Sequence, residues 1–477
     1  MFDVVPFKKI WGELHGNSGI TASIESFVRF MEKRLGASFV YDASRIPFGR
    51  SDLVELFEIA EKLRAAGVIR TYLKTYGFPD EPRLYQWHAT CATPNRHIAG
   101  GVSIEDDRAA LTATLAESLE RYVWLEMTDY FEEPRRATAG EALTNGNTLD
   151  PERFAGYSNA QRRAHKRFTL SKQAAYLWTR GYSWTSKRPV WVPAQVVSGK
   201  YGGSNFCGQA VEPIIIAPIT TGLATGPTRE FALLNGALEV IERDAFMITW
   251  LNQLTPHRFN ITALRAESKN LDWLLAACSR YRLRVDALRL PTDAPTYAVC
   301  AVVHDESGAA PSVTVGLKAH RNSARAIEGA LLEALRMRQN VRLRPPFGDQ
   351  PKEKIVHLER TSYWAEGERY KDLAFLTKGE IRSFEERWEK DTEREHLQRI
   401  IDWCRSRTYE FASVALTRSK KNVTSWHIEM VVIPELIPMH LNERFPYTNG
   451  ARLKTVPKQF GFAALPEAYL ERPHPFA

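Results

Sequence analysis

Residues 220–250, TTGLATGPTREFALLNGALEVIERDAFMITW, join a glycine-rich turn to a long predicted helix. Gly222 and Gly226 favour a turn because glycine adopts backbone angles that other residues avoid, and Pro227 is typical of a helix start. Apolar residues then recur at three- and four-residue steps, which predicts a helix with one buried side that ends near Trp250. The apolar positions are Ala232, Leu233, Gly236, Ala237, Val240, Ile241 and Phe246.

The polar side of this predicted helix carries clustered charges. Glu239 and Glu242 are three residues apart and therefore neighbours on one face, with Arg243 beside them. A single E-x-x-E-R pattern is most often the solvated face of an ordinary helix. Two carboxylates this close repel each other unless a positive charge lies between them. A second copy of the pattern elsewhere in the chain would favour a functional site over a solvated helix face.

The chain contains that second copy. In GGVSIEDDRAALTATLAESLERYVWLEM, residues 100–127, a glycine pair leads into a predicted helix with Glu117, Glu120 and Arg121 at the same spacing. The buried side of this helix is predicted at Leu111, Leu115, Leu119 and Val123. Two units that each combine a glycine turn with a helix carrying E-x-x-E-R indicate two halves of one site.

The predicted site suits a hard cation. Magnesium is usually held by one or two carboxylates together with substrate phosphates. The sequence therefore predicts a magnesium–nucleotide site whose arginines donate to phosphate oxygens. Its metal ligands are expected to be Glu117, Glu120, Glu239 and Glu242, and its phosphate-binding arginines Arg121 and Arg243. No P-loop motif is present, and SGKYGGSN at residues 198–205 is predicted to be a mobile loop.

These motifs resemble the YcaO superfamily, and more narrowly the cyclodehydratase component of azole-forming, microcin-type peptide synthetases. The resemblance extends over about residues 80 to 477 and includes ALTATLAESLERY, the 220–250 stretch, WVPAQVV at 191–197 and the terminal PHPFA. It implies a mixed α/β fold in which two glycine-loop and helix units face one nucleotide site. It also implies ATP and Mg²⁺ as cofactors, and activation of a peptide backbone amide so that Cys, Ser or Thr closes onto it as a thiazoline or oxazoline.

The resemblance assigns further residues to the nucleotide site. Gly226 in the second glycine loop is expected to lie against ATP. The predicted helix over residues 318–344 resembles the element that places a cation near the nucleotide, which is expected to be Arg336 or Arg338. An arginine exposed to solvent is the alternative for either residue.

The motifs also depart from the family pattern. Ala113 stands where a serine is usual, and Pro227 and Phe231 stand where an asparagine and a second glutamate are usual. Thr114 and Glu230 are expected to substitute as ATP and metal ligands from neighbouring positions, although a helix turns by about 100° per residue. The alternative is that these replacements do not work and that ATP binding is altered or lost.

The end of the sequence, PHPFA, resembles a shortened form of the proline-alternating tail with which azole-forming YcaO proteins end. Proline stiffens such a tail and lowers the entropy lost when it docks. The resemblance implies that Pro475 and Ala477 reach the reacting amide, where the Ala477 carboxylate would act as a base or an orienting charge. Arg243 is also expected to be catalytic, by neutralising charge during the reaction. A frayed terminus is the alternative.

Three functions follow from these observations. The first is an ATP-dependent cyclodehydratase acting on a ribosomally made precursor peptide, with a partner protein that binds the leader and a separate flavin-dependent dehydrogenase, because the chain has no flavin fingerprint. The second is another YcaO reaction on amides, such as thioamide formation. The third is a catalytically silent YcaO scaffold that binds peptide and partner subunits, which Ala113, Pro227 and Phe231 would favour.

The composition limits the remaining possibilities. The hydrophobic fraction of 44% and charged fraction of 25% predict a soluble globular protein with one large and one small domain. No apolar run of the ~18 residues needed for a membrane span and no signal-peptide core occur, so a cytoplasmic protein is expected. The net charge of +8 is spread among acids, which argues against nucleic-acid binding. The five cysteines and twelve histidines show no ligand spacing and are expected to be structural.

The predicted domains are a helical extension over residues 1–80 and a catalytic domain over 81–477. The extension is predicted to wrap the main domain, with a small winged-helix-like module as the alternative. Strands are predicted in 82–94, 188–197, 211–220, 283–291, 296–305, 311–319, 411–419 and 425–438. A charged helix is predicted over 382–405, and loops over 132–163, 345–372 and 439–457.

Overall fold

A computed structural model describes residues 53–144, 146–206, 212–343, 359–365, 368–463 and 472–476. The helices are α1 Val54–Ala65, α2 Asp107–Glu126, α3 Ala139–Thr144, α4 Asn159–Ala164, α5 Gly199–Phe206, α6 Arg229–Leu251, α7 Ile261–Leu264, α8 Lys269–Arg280, α9 Ser323–Arg342, α10 Glu359–Ala365, α11 Ala374–Thr377, α12 Glu393–Ser406 and α13 Arg452–Gln459. The strands are β1 Ile69–Thr75, β2 Tyr85–Cys91, β3 Ile98–Ser103, β4 Arg135–Thr138, β5 Ala175–Ser183, β6 Arg188–Pro193, β7 Leu223–Gly226, β8 Arg258–Phe259, β9 Leu283–Arg289, β10 Tyr297–Asp305, β11 Val313–His320, β12 Ile381–Arg382, β13 Ala412–Ala415 and β14 His427–Val432. The mixed α/β fold predicted from the sequence is confirmed.

The strands form three sheets within the described ranges. The first has the order β1-β2-β3, the second β4-β5-β13-β14-β7 with β6 on β5, and the third β11-β10-β9-β8-β12. Neighbouring strands are antiparallel except β8 and β12. One strand of each sheet leads directly into a long helix: β3 into α2, β7 into α6 and β11 into α9.

Each long helix packs on the strand that precedes it, and glycine makes the close approach possible. A Cβ atom at Gly101 in β3 would lie 2.0 Å from the Ala110 carbonyl oxygen of α2, and one at Gly316 in β11 would lie 2.1 Å from the Ala330 oxygen of α9. In the second unit the glycine is on the helix, where a Cβ at Gly236 would lie 2.5 Å from the Gly222 oxygen. A side chain at any of these positions would force helix and strand apart.

Most residues of helix α6 are buried. Its first half packs in an apolar cluster with α12, and its second half packs in another cluster with β10, β11 and the C-terminal segment. The apolar positions predicted from residues 220–250 are all buried in this way. The helix starts at Arg229, because the Thr228 side chain accepts a hydrogen bond from the Phe231 N–H as the N-cap. Pro227 therefore lies just before the helix.

Several predictions of local structure were wrong. Residues 212–220 form no strand; Pro213 and Pro218 remove backbone donors there, and the Ala217 N–H donates to the Tyr447 hydroxyl instead. The 198–205 segment contains α5 instead of a loop, because Gly202 allows the turn to pack closely on the Gln195 backbone.

Other segments contain more structure, or begin later, than expected. The predicted loop at 132–163 contains β4, α3 and α4, and the one at 439–457 contains the start of α13. The part of 345–372 that is described contains α10. Helix α9 begins at Ser323, since the residues before it belong to β11. Helix α12 starts only at Glu393, where Thr392 and Glu395 form a capping box.

The predicted N-terminal extension lies mostly outside the described residues, so its two alternatives remain predictions. Within its described part, α1 ends at Ala65 and residues 69–75 form β1 instead of continuing the helix. Strand β1 pairs with β2, which joins residues before position 80 to the main sheet system. No helix of the described residues has the length and apolar character that a membrane crossing requires.

Candidate active site

The first E-x-x-E-R pattern lies where α2 passes β3. The Glu117 carboxylate accepts a hydrogen bond of 2.8 Å from the Gly100 N–H and bonds of 3.0 and 2.6 Å from Arg121 Nε and Nη2. Burial alone would raise the pKa of Glu117, but Arg121, Arg336 and the Gly100 N–H lower it to about 2. Glu117 therefore carries its negative charge at neutral pH.

The second pattern repeats this arrangement on α6. The Glu239 carboxylate accepts a hydrogen bond of 3.0 Å from the Gly222 N–H, and Glu242 accepts one of 2.8 Å from the Ala319 N–H of β11. The Arg243 guanidinium lies 3.5 Å from Glu239 and 3.3 Å from Glu242. Its buried Nη1, the atom that lies 3.3 Å from Glu242, makes no hydrogen bond with any described residue, so its N–H groups can still donate to a ligand.

A third unit, which the sequence analysis did not identify, completes the group. On α9 the Glu333 carboxylate accepts a hydrogen bond of 2.7 Å from the Leu317 N–H of β11. Arg336, one turn further on, reaches across to Glu117, with Nη2 at 3.4 Å from Oε2. Arg336 therefore lies next to the first motif, and its expected interaction with the nucleotide remains a prediction.

The three glutamates occupy equivalent positions. Glu117, Glu239 and Glu333 each stand ten residues after the first residue of their helices, Asp107, Arg229 and Ser323. Each accepts a hydrogen bond from a backbone N–H of the preceding turn or strand. In the third unit an arginine and a methionine follow at the positions of the second glutamate and the arginine, so the E-x-x-E-R motif does not reveal it.

The carboxylates of this group outnumber the nearby arginines, and the pKa values of several of them are raised. Burial, and then the charges of Glu117 and Glu239, raise the pKa of Glu120 to about 8. Burial also raises the pKa of Glu239, with Glu242 adding to the rise and Arg243 opposing it. Likewise burial, with Glu242, raises the pKa of Glu333 to about 7. Carboxylates from facing helices thus lie close enough to repel one another, and the local arginines do not neutralise them fully.

These residues fit a magnesium–nucleotide complex. Oxygen ligands gathered from separate helices suit a hard cation, and a divalent ion would remove the repulsion that raises the pKa of Glu120. Ligands can reach the carboxylates, because the Glu117 and Glu239 side chains are 23% and 29% exposed. Arg121 and Arg243 would hold phosphate oxygens.

The C-terminal segment docks beside this group. The Phe476 ring is buried and stacks against the Arg243 guanidinium, whose central carbon lies 4.2 Å from the ring centroid. Pro475 lines a small cavity with Met337 of α9 and Trp364 of α10. Ala477 lies outside the described residues, so the role expected for its carboxylate remains a prediction.

Four predicted site residues have other contacts. Thr114 is buried and links α2 to β2 and β3 by accepting from Gly101 N–H and donating to the Trp87 carbonyl. Arg338 bonds Glu81, Asp305 and the Pro311 carbonyl, so its donors are committed to a buried ion pair. Gly226 pairs in β7 with His427. Glu230 is exposed on the first turn of α6, about 13 Å along the helix from Glu239.

Several solved structures have a fold similar to that of this chain. The chain is similar to a heterocyclase in complex with substrate and cofactor, with a TM-score of 0.72 and 19% identity over 88% of this chain and 57% of that one. It is also similar to YcaO from Methanopyrus kandleri bound with AMPPCP and Mg²⁺, with a TM-score of 0.54 and 18% identity over 80% and 90%. The E. coli microcin synthetase McbBCD complex with pro-MccB17 bound gives a TM-score of 0.54 and 12% identity over 77% and 88%.

These similarities concern the fold, and the chain spans 57% of the length of the first heterocyclase. No curated protein matches the sequence. The family model described as YcaO cyclodehydratase, ATP- and Mg²⁺-binding, matches residues 103–437, which is more than half of the 477 residues. The matched range includes the helices α2, α6 and α9, which carry Glu117, Glu239 and Glu333. The chain therefore belongs to the YcaO cyclodehydratase family.

Proposed function

We propose that this chain is an ATP-dependent cyclodehydratase that forms thiazoline or oxazoline rings in a ribosomally made precursor peptide. Family membership supports ATP and Mg²⁺ as its cofactors. The observation that carries the proposal is the gathering of Glu117, Glu120, Glu239, Glu242 and Glu333 with too few cations among them. Such a group costs free energy in the absence of a ligand, and a magnesium–nucleotide complex is the ligand its chemistry suits.

Amide chemistry explains why a nucleotide is required. A Cys, Ser or Thr side chain adds to the preceding backbone carbonyl, and the resulting oxyanion is a poor leaving group as hydroxide. Bound Mg-ATP supplies a phosphoryl group, which makes this oxygen leave as phosphate while the amide nitrogen loses its proton and the C=N bond forms. None of these reaction steps requires a nucleophile from the protein.

The chain's own residues would position the metal and the nucleotide and neutralise the charge that develops during the reaction. Glu117, Glu239 and Glu242 are held in place by backbone N–H donors and would bind the metal without large rearrangement. Arg243 is fixed by Glu239 and Glu242 on one side and Phe476 on the other, so its guanidinium belongs to a rigid side chain. Such preorganisation lowers the barrier because little has to move as charge develops.

The peptide substrate and partners belong to the same proposal. The microcin synthetase structure is a complex with its pro-peptide bound, and the first heterocyclase is a longer chain bound to substrate. We therefore expect that a separate partner protein binds the leader of the precursor peptide. A flavin-dependent dehydrogenase would oxidise the azoline afterwards.

Calorimetric titration with Mg-ATP tests the site. We expect saturable binding that requires Mg²⁺ and is weakened by about 100-fold or more in Glu239→Ala, because that substitution removes a proposed metal ligand. Glu58→Ala, which removes an exposed glutamate of α1, is the matched control and should bind as the wild type does.

The outcomes separate the three functions. Binding that Glu239→Ala retains would reject this placement of the site. No binding by the wild type, even with partner and peptide added, would favour a silent scaffold. Binding together with ATP turnover that requires a sulfide donor would instead indicate thioamide formation.

A further inference from the structure

Docking of the C-terminal segment brings three potential metal ligands together. His440 and Glu443 lie three residues apart in the chain after β14, and His474 comes from the C-terminal segment. One ligand atom from each of these side chains lies within 4.8 Å of the other two. His440 and His474 are 2% and 0% exposed, so this is an enclosed cluster.

The hydrogen bonds leave one imidazole lone pair free. His474 Nε2 lies 2.7 Å from the His440 carbonyl oxygen and must carry the proton in that bond. Its Nδ1 is then unprotonated, and this buried atom has no hydrogen-bond partner among the described residues. His440 would bind through Nε2, the ring nitrogen that faces Glu443, while its Nδ1, also without a partner there, keeps the proton. Unpaired buried polar atoms of this kind are uncommon and point to a ligand.

The carboxylate is oriented from outside the cluster. Arg360, a fully buried residue of α10, donates from Nε to Glu443 Oε1 at 2.6 Å and from Nη2 to the His440 carbonyl at 3.3 Å. Glu443 Oε2 faces His440 Nε2 at 3.1 Å. Metal-binding histidines and carboxylates are commonly fixed in this manner, with a carbonyl or charged group holding the atom that does not bind the metal.

We propose that His440, Glu443 and His474 bind a transition-metal ion, Zn²⁺ in the first place, which fastens the C-terminal segment to the body of the protein. Two imidazoles and one carboxylate are a known zinc donor set, whereas magnesium takes oxygen ligands. Tetrahedral ligands about 2.1 Å from zinc lie about 3.4 Å apart, so small side-chain rotations complete the site. Water takes the fourth position.

This site has a structural consequence that does not depend on the proposed function. His474 lies two residues before Phe476, whose ring covers Arg243. A metal ion bound to His474 therefore keeps Phe476 on Arg243. Loss of the ion would release the C-terminal segment from the body of the protein.

Metal analysis of the full chain tests the proposal. The protein purified from zinc-containing medium should hold about one zinc per chain, and chelator-treated protein should take up about one Co²⁺ with the intense visible absorption of a tetrahedral site. His474→Ala and Glu443→Gln should lose both signals. His165→Ala, which removes an exposed histidine, should keep both.

Two further measurements separate a lost site from a lost fold. Circular dichroism melting reports whether His474→Ala is still folded, and the chelated wild type tests the site without any substitution. The proposal is overturned if the wild type takes up no zinc or Co²⁺, if the folded variants bind as the wild type does, or if the Co²⁺ spectrum shows thiolate bonds. A failure of Mg-ATP binding alone would count only against the proposed function.

Discussion

The carboxyl group of Glu120 changes its charge near neutral pH. The pKa of this carboxyl is about 8 in the folded protein and about 4.3 in an unfolded chain. Between these values the folded state holds a proton that the unfolded state has released, so stability falls as the pH rises. A divalent ion in the site would replace that proton.

We expect the melting temperature of the metal-free protein to fall between about pH 5 and pH 8, and to fall less steeply in Glu120→Gln, which has no charge to form. Magnesium added with nucleotide should raise the melting temperature more at pH 8 than at pH 6. Scanning calorimetry across this range measures both effects. Glu58→Gln should keep the wild-type slope, and an unchanged slope in Glu120→Gln would show that this carboxyl is not desolvated.

Asp244, next to Arg243 in sequence, has a different function. Its carboxylate accepts bonds of 2.8 and 3.0 Å from Arg452 of α13, which also reaches Asp293 at 2.8 Å. The side chains of Asp244 and Arg452 are 0% and 1% exposed. Removing one partner leaves an uncompensated buried charge, which is far costlier than losing a surface pair.

We expect Arg452→Met to lower the free energy of unfolding by about 3–5 kcal/mol in urea titrations. Lys371→Met is the matched control, because Lys371 and Glu368 form an exposed pair, 57% and 78% accessible. That pair should contribute far less than the buried one, because solvent screens its charges. Equal effects of the two substitutions would mean that the buried pair adds nothing beyond an exposed one.

At the scale of elements, the contact between a glycine-containing strand and its helix recurs. Gly316→Ala places a methyl group 2.1 Å from the Ala330 oxygen and 2.4 Å from the Ala334 nitrogen, both backbone atoms of α9. We expect a loss of about 1–3 kcal/mol in the free energy of unfolding, typical of overpacking. Gly203→Ala, in α5 with nothing within 4 Å of the added methyl, should be neutral or slightly stabilising. A neutral Gly316→Ala would show that α9 can move away from β11 at little cost.

The sequence predicted the long elements well because their patterns are strong. Helices α2 and α6 repeat apolar residues over many turns, and β9, β10 and β11 are apolar runs between turn residues. Residues 212–220 are apolar like a strand, but Pro213 and Pro218 lack the N–H groups that a strand within a sheet donates. Helix α13 was missed because its apolar side contains only Leu453 and Val456 beside the buried Arg452.

The candidate site was predictable where both halves of a motif occur in the sequence. Glu333 was missed because Arg336 and Met337 replace the glutamate and arginine that would have marked a third copy. His440 and His474 were missed because only the docked C-terminal segment brings them together. Tertiary contacts of this kind leave no periodic signal in a sequence.

At the scale of the whole molecule, three strand–helix units from different sheets surround one group of carboxylates. We expect Mg-ATP to slow amide hydrogen exchange at Gly100, Gly222 and Leu317 together, since their N–H groups donate to Glu117, Glu239 and Glu333. Exchange in α12, which contributes no residue to the group, should not change. Protection confined to Gly222 would contradict a site shared by the three units.

The span of the contacts within this group has a kinetic consequence. The Glu117–Arg336 bond joins residues separated by 219 positions, and Phe476 meets the Arg243 of a distant helix. Long loops must close before such contacts form, so the site can assemble only late during refolding. Recovery of nucleotide binding after dilution from denaturant should therefore lag behind the recovery of helical signal, which makes binding a measure of how much of the chain has reached its final arrangement.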